Sequence, residues 1–194
     1  MDVLNSVSVL LGSSWASGLN LYLCTAGLGL AQRMELIDLP GNMTVLAHPQ
    51  VIAIASALFA VEFVADKIPY VDSLWDSIHT CIRPLAGAAM GFLATSDAGS
   101  LLQFLAALAS GSLTMGSHLA KSSTRAAINT SPEPVSNSVA SVTEDLTVSG
   151  LLYLMIAHRL LVILVVLALM IVSAWLLKKL LPFAQRVCKS FTCK

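Results

Sequence analysis

Asp72, Asp76, His79 and Arg83 follow one another at steps of four, three and four residues in "YVDSLWDSIHTCIRP". On a helix that spacing gathers two carboxylates, an imidazole and a guanidinium on one face. Trp75, Ile78 and Ile82 repeat at the same period on another face. Carboxylate and imidazole on one face could ligate Zn, Mn or Fe, which makes Asp72, Asp76 and His79 the metal candidates. The same groups could bind each other as ion pairs or handle a proton, ion or small polar solute. Glu62, Asp66 and Lys67 stand just upstream in "VEFVADKIP", and Pro69 ends that segment.

A second polar stripe carries the opposite sign. Lys121, Arg125 and Asn129 recur every four residues, followed by Pro132, Glu133, Pro134 and Asn137. Buried charges persist mainly when paired, so the acidic stripe is expected to meet the basic one. Asp72 and Asp76 would then face Lys121 and Arg125. A shift of fifty residues superposes Ala57-Leu58 on Ala107-Leu108, Ser73 on Ser123, Ile78 on Ile128, Thr80 on Thr130 and Pro84 on Pro134. The same shift sets Arg83 opposite Glu133. Read as a duplication, the halves are about 51–84 and 101–134, an arrangement used by transporters with a site between repeats. The residues expected to line the polar centre are Glu62, Asp66, Asp76, His79, Arg83, Arg125, Asn129, Glu133 and Asn137. At a helix end, Glu62, Asp66 and Lys67 could instead be solvated.

The elements that must carry these stripes are greasy. Of 194 residues, 56% are hydrophobic and 11% charged, against about a quarter charged in soluble domains. That is the composition of an integral membrane protein. Eleven basic and eleven acidic residues leave no basic surplus for phosphate, so nucleic acid is not an expected partner. The four cysteines form neither a disulfide framework nor a metal knuckle. Cys188 and Cys193, in the basic tail, are free thiols or acylation sites.

Apolar runs mark the helices. Val7 to Ala31 is long enough to cross a bilayer, and its "SSWASGLN" either breaks the helix or lies in a continuous helix whose small residues let a neighbour approach closely. "ELIDLPGN" is a turn, and Val51 to Val64 a second helix. Leu85 to Thr95 spans only if its helix begins before Pro84 or if it is re-entrant. Leu101 to Leu119 is a fourth segment, rich in small residues. Leu146 to Leu177 tilts or breaks near His158, with a crossing from about Leu160. The tail 178–194 carries Lys178, Lys179, Arg186, Lys189 and Lys194 and no acid, which puts the C-terminus in the cytoplasm.

The residues "EFVADKIPYVDSLWDSIHTCIRP", "SPEPVSN" and Glu144-Asp145 resemble the family of small membrane proteins described as domain of unknown function 4126. The resemblance covers most of the chain and implies a polytopic membrane protein without implying an activity.

The expectation is an all-α bundle of four to six transmembrane helices in one membrane domain, 1–194, with two polar segments that are re-entrant or interfacial. Its expected function is transport or conduction of an ion or small polar solute, with no cofactor. Its partners would be the bilayer, the solute and, to enclose a path, a second copy in a homo-oligomer. A scaffold or assembly factor held together by ion pairs is the alternative. An enzyme is the third reading, with His79 or His118 as base and Ser117 or Ser123 as nucleophile. No HExxH, GxSxG or phosphate loop supports it.

Overall fold

A computed structural model describes residues 3–130 and 134–192, with the backbone alone at 134 and 181–192. Glu133 and the side chains of Arg186, Cys188, Lys189, Cys193 and Lys194 therefore lie outside the described residues. All described elements are helical: α1 (Val3–Leu19), α2 (Leu21–Arg33), a short 3-10 helix (Gly41–Ala47), α3 (Pro49–Ala65), α4 (Val71–Ala94), α5 (Ser100–Ile128), α6 (Pro134–Ala157) and α7 (Arg159–Thr192).

The long run Val7 to Ala31 is divided. Asn20 leaves helical geometry (φ −144°, ψ 98°), and its side chain accepts the Leu23 amide at 2.9 Å, capping α2. The small residues also bring a neighbour close. A Cβ on Gly18 would collide with Ser117 Oγ and the Thr114 carbonyl of α5. The helix is therefore broken and not continuous through "SSWASGLN", although the small residues before the break do let α5 approach closely.

The polar segment from Asp72 and the apolar segment from Leu85 form one helix, α4, which passes through Pro84. Proline removes the amide that would bond the Thr80 carbonyl but does not stop this helix. α4 and α5 form an antiparallel hairpin, joined from Asp72–Asn129 at one end, through Thr80–His118, to the Gly87–Thr114 and Gly91–Ala106 contacts at the other. Glycine, alanine and serine at these crossings let the backbones approach. Under the fifty-residue shift the turn after α3 superposes on the middle of the unbroken α5, so the two segments follow different backbone courses.

α6 ends at Ala157 and α7 starts at Arg159, so the chain breaks at His158. α7 buries a stripe of Val162, Val166 and Ser173. α6 is divided along its length: Asn137 and Ser141 are buried in its first half, Val148, Leu151 and Met155 in its second. The apolar core joins that second half to α1, α2 and α7.

Among the described residues two stretches, Val135–Ala157 and Arg159–Leu180, are long and apolar enough to cross a membrane. A third exists if the 3-10 helix and α3, bent by 68° at His48, count as one span. The burial pattern suits hydrocarbon surroundings. α4 buries Asp72, Asp76, His79 and Arg83 while exposing Leu74, Ile78, Ile82 and Leu85, the reverse of a helix in water.

Candidate functional site

The charges converge where α1 stops. In an unbroken helix the carbonyls of Gly18 and Leu19 would accept from the amides four residues ahead. Instead Arg83 Nη1 donates to the Gly18 carbonyl at 2.7 Å and Lys121 Nζ to the Leu19 carbonyl at 3.0 Å. The partial negative charge at a helix C-terminus favours cations there. Breaking the helix thus creates acceptors for two buried positive charges.

Carboxylates complete the web. Glu62, in the last turn of α3, pairs with Arg83, and its Oε1 lies 3.5 Å from Lys121 Nζ. Asp66 reaches Lys121 at 2.7 Å and Arg125 at 3.6 Å. Arg125 grips Glu144 of α6 with both arms, Nε to Oε1 at 3.2 Å and Nη2 to Oε2 at 2.7 Å. Its Nη1 also donates to the backbone carbonyls of Asp66 and Asn137. Lys121 lies 3.3 Å from Glu144 as well. The looser member is Asp76, whose Oδ1 is 3.6 Å from Arg83 and 3.9 Å from Lys121.

Amides and hydroxyls tie off the edges. Asn129 donates to both oxygens of Asp72 and to Ser73 Oγ, and accepts from Asn137. Asn20 donates to Asp145 at 2.9 Å. His118 is neutral, because Arg83 can only donate and must give its proton to Nδ1. Its Nε2 therefore donates to Thr80 Oγ1, whose own proton goes to the Asp76 carbonyl. His79 donates from Nδ1 to the Trp75 carbonyl, so its Nε2 can accept from the Tyr22 hydroxyl. A groove of about 370 Å³ among α1, α5, α6 and α7 reaches Lys121 and Glu144 between mainly apolar walls that include Trp15, Leu19, Thr124 and Thr143.

Eight of the nine residues expected at the polar centre are described. Glu62, Asp66, Asp76, Arg83 and Arg125 meet in the ion-pair web, Asn129 and Asn137 adjoin it, and His79 lies on its α2 side. Glu133 lies outside the described residues, and Arg83 takes Glu62 and Asp76 as its partners. Asp76 does face Lys121, whereas Asp72 is held by Asn129 instead of a cation. The metal candidates do not converge. Asp72 and His79 are engaged separately, and no three His, Cys, Asp or Glu residues among those described are set to hold a metal ion. Ser117 donates to the Leu113 and Thr114 carbonyls while His118 serves Arg83 and Thr80, so they form no nucleophile–base pair.

Lys121, Glu144 and the α1 carbonyls also belong to the centre, beyond the nine residues expected to line it. Lys121 begins the basic stripe, and Glu144 stands two helical turns after Asn137. The two carbonyls carry no side-chain signal.

Residues 7–179 match the family model described as domain of unknown function (DUF4126). The chain belongs to that family. Neither the curated proteins nor the solved structures gave a match. The segments that carry the family resemblance supply the web's Glu62, Asp66, Asp76, Arg83 and Glu144, while Lys121 and Arg125 fall between those segments.

Proposed function

We propose that this is a multi-pass integral membrane protein, with a cytoplasmic C-terminus, that moves an ion or small polar solute through the charged centre. The observation that carries the reading is the broken first helix, whose freed carbonyls meet buried Arg83 and Lys121 within a web of acids. Discontinuous helices with exposed carbonyl ends are how many transporters make polar sites at membrane depth. Ionisable groups are costly there and typically mark a path. The groove ending at Lys121 and Glu144 gives a route to the edge of the web. Lys178, Lys179 and the remaining basic tail favour the cytoplasmic side. Four or more crossings and a homo-oligomer would enclose the path.

A scaffold is the second reading, favoured by the number of segments that Arg83, Lys121 and Arg125 fasten together: α1, α3, α4, α5 and α6. Flux measurements in liposomes separate the two. A panel of protons, alkali cations, small anions and small polar solutes should reveal one species moved by the wild type and slowed at least about tenfold in Asp76→Asn, a loss of about 1.4 kcal/mol in barrier lowering. Well-folded wild type that moves nothing on the panel, and co-purifies with a stable partner, would replace transport with the scaffold.

A further inference from the structure

Four carboxylates, Glu62, Asp66, Asp76 and Glu144, share the buried web with three cations, Arg83, Lys121 and Arg125. His118 adds no charge, since its Nδ1 accepts from Arg83. The carbonyl end of α1 adds further negative character. Counted over these seven side chains the web is short of one positive charge, and Lys67 and Asp145 at its edge add one charge of each sign.

The shortage falls on Asp76. Its side chain is 3% exposed, and neither carboxylate oxygen has a hydrogen-bond partner. Every other carboxylate of the web has a cation within 2.7 Å or a direct donor, whereas the cations nearest Asp76 stand at 3.6 and 3.9 Å. Around it are Glu62 of α3 and Asp66 just beyond, His79 and Arg83 of its own helix, His118, Lys121 and Arg125 of α5, and Glu144 of α6. A buried carboxylate without donors is strongly disfavoured as an anion. A metal ion at Asp76 would lie beside the Arg83 guanidinium and the Lys121 ammonium. A proton needs no such space and balances the charge.

We propose that Asp76 is a proton-binding site, holding one exchangeable proton on its carboxyl while the web is closed. Binding consists of an O–H bond to one Asp76 oxygen, and release returns that proton to water when the web opens. The proposal deepens the transport reading by naming the ion, although binding does not itself require flux.

Infrared spectroscopy of the full-length protein in liposomes tests it. The carbonyl band of a protonated, water-excluded carboxylic acid should be present at about pH 7, where ordinary aspartates are ionised. It should shift when aspartate is labelled with carbon-13 at its side-chain carboxyl, and should stay when glutamate is so labelled. Asp76→Asn, whose amide matches the neutral acid in shape, should fold and lose the band, while Asp72→Asn keeps it. Absence of the band in wild type, its movement on glutamate labelling, its survival in Asp76→Asn, or failure of Asp76→Asn to fold would each overturn the proposal. A wild type that shows the band and moves no solute keeps the proton site and removes the transport reading alone.

Discussion

At Lys121 one ammonium serves four carboxylates and a helix-terminal carbonyl. Replacing it by methionine keeps much of the volume and strands several negative charges, and removal of one partner of a buried pair typically costs about 3–5 kcal/mol. Unfolding of Lys121→Met in detergent should show a loss of that order, while Arg33→Gln on the exposed end of α2 should stay within about 0.5 kcal/mol. Equal effects would mean that the web is wet. Arg125→Lys tests geometry at constant charge. Lysine cannot reproduce the fork to Glu144 together with two backbone acceptors, so a loss of about 2–3 kcal/mol is expected from hydrogen bonds to charged groups. Full stability of that variant would reduce the fork to a simple charge contact. Much of this centre was legible in the sequence because carboxylates and cations at helical spacing in an apolar chain require partners. Their identity was not legible: Arg83 takes Glu62, only twenty-one residues away, since the turn after α3 folds the acidic stripe back on itself.

Between elements, contact depends on what is missing from side chains. A methyl at Gly18 would press on Ser117 and the α5 backbone and push α1 away from the cations its carbonyls hold. Gly18→Ala should cost about 1–3 kcal/mol by overpacking. Gly150→Ala, in α6, meets nothing within 4 Å and should instead gain up to about 1 kcal/mol from helix propensity. Thermal unfolding of the two purified variants checks both signs, and a neutral Gly18→Ala would show that α1 can slide. The breaks at Asn20 and His158 were marked in the sequence by polar residues inside apolar runs. The continuity of α4 was harder to read, because Pro84 usually signals an end, and the burial of the preceding face holds the helix through it. The unequal courses of α3–α4 and α5 were illegible to a fifty-residue match, which compares residue types and contains no information on where a turn falls.

For the molecule as a whole, the decisive feature is inversion: the two charged stripes of α4 and α5 are inside and a broad apolar surface is outside, while charges such as Arg33, Glu35, Asp38 and Asp97 stay exposed at the ends and connections of helices. Composition indicated a membrane protein but could not indicate which faces meet lipid, since a helix apolar on all sides has no preferred face until its neighbours are known. α7 shows this, burying Val162, Val166 and Ser173 and exposing Leu164, Leu167 and Ile171. Ile171 is 71% exposed near the middle of the apolar stretch Arg159–Leu180. If that stretch crosses the bilayer, a lysine there must enter hydrocarbon, at about 2.5–3.5 kcal/mol on insertion scales. Water around the same residue would accept it within about 0.5 kcal/mol. Ile171→Lys is therefore expected to lower the amount of folded protein recovered from membranes severalfold or more. Leu36→Lys should leave it unchanged, because Leu36 is 51% exposed on the connection after α2, away from the apolar stretches. Quantifying both variants in membrane fractions beside wild type gives the comparison, and normal recovery of Ile171→Lys would remove α7 from the lipid and with it the crossing on which the cytoplasmic C-terminus rests.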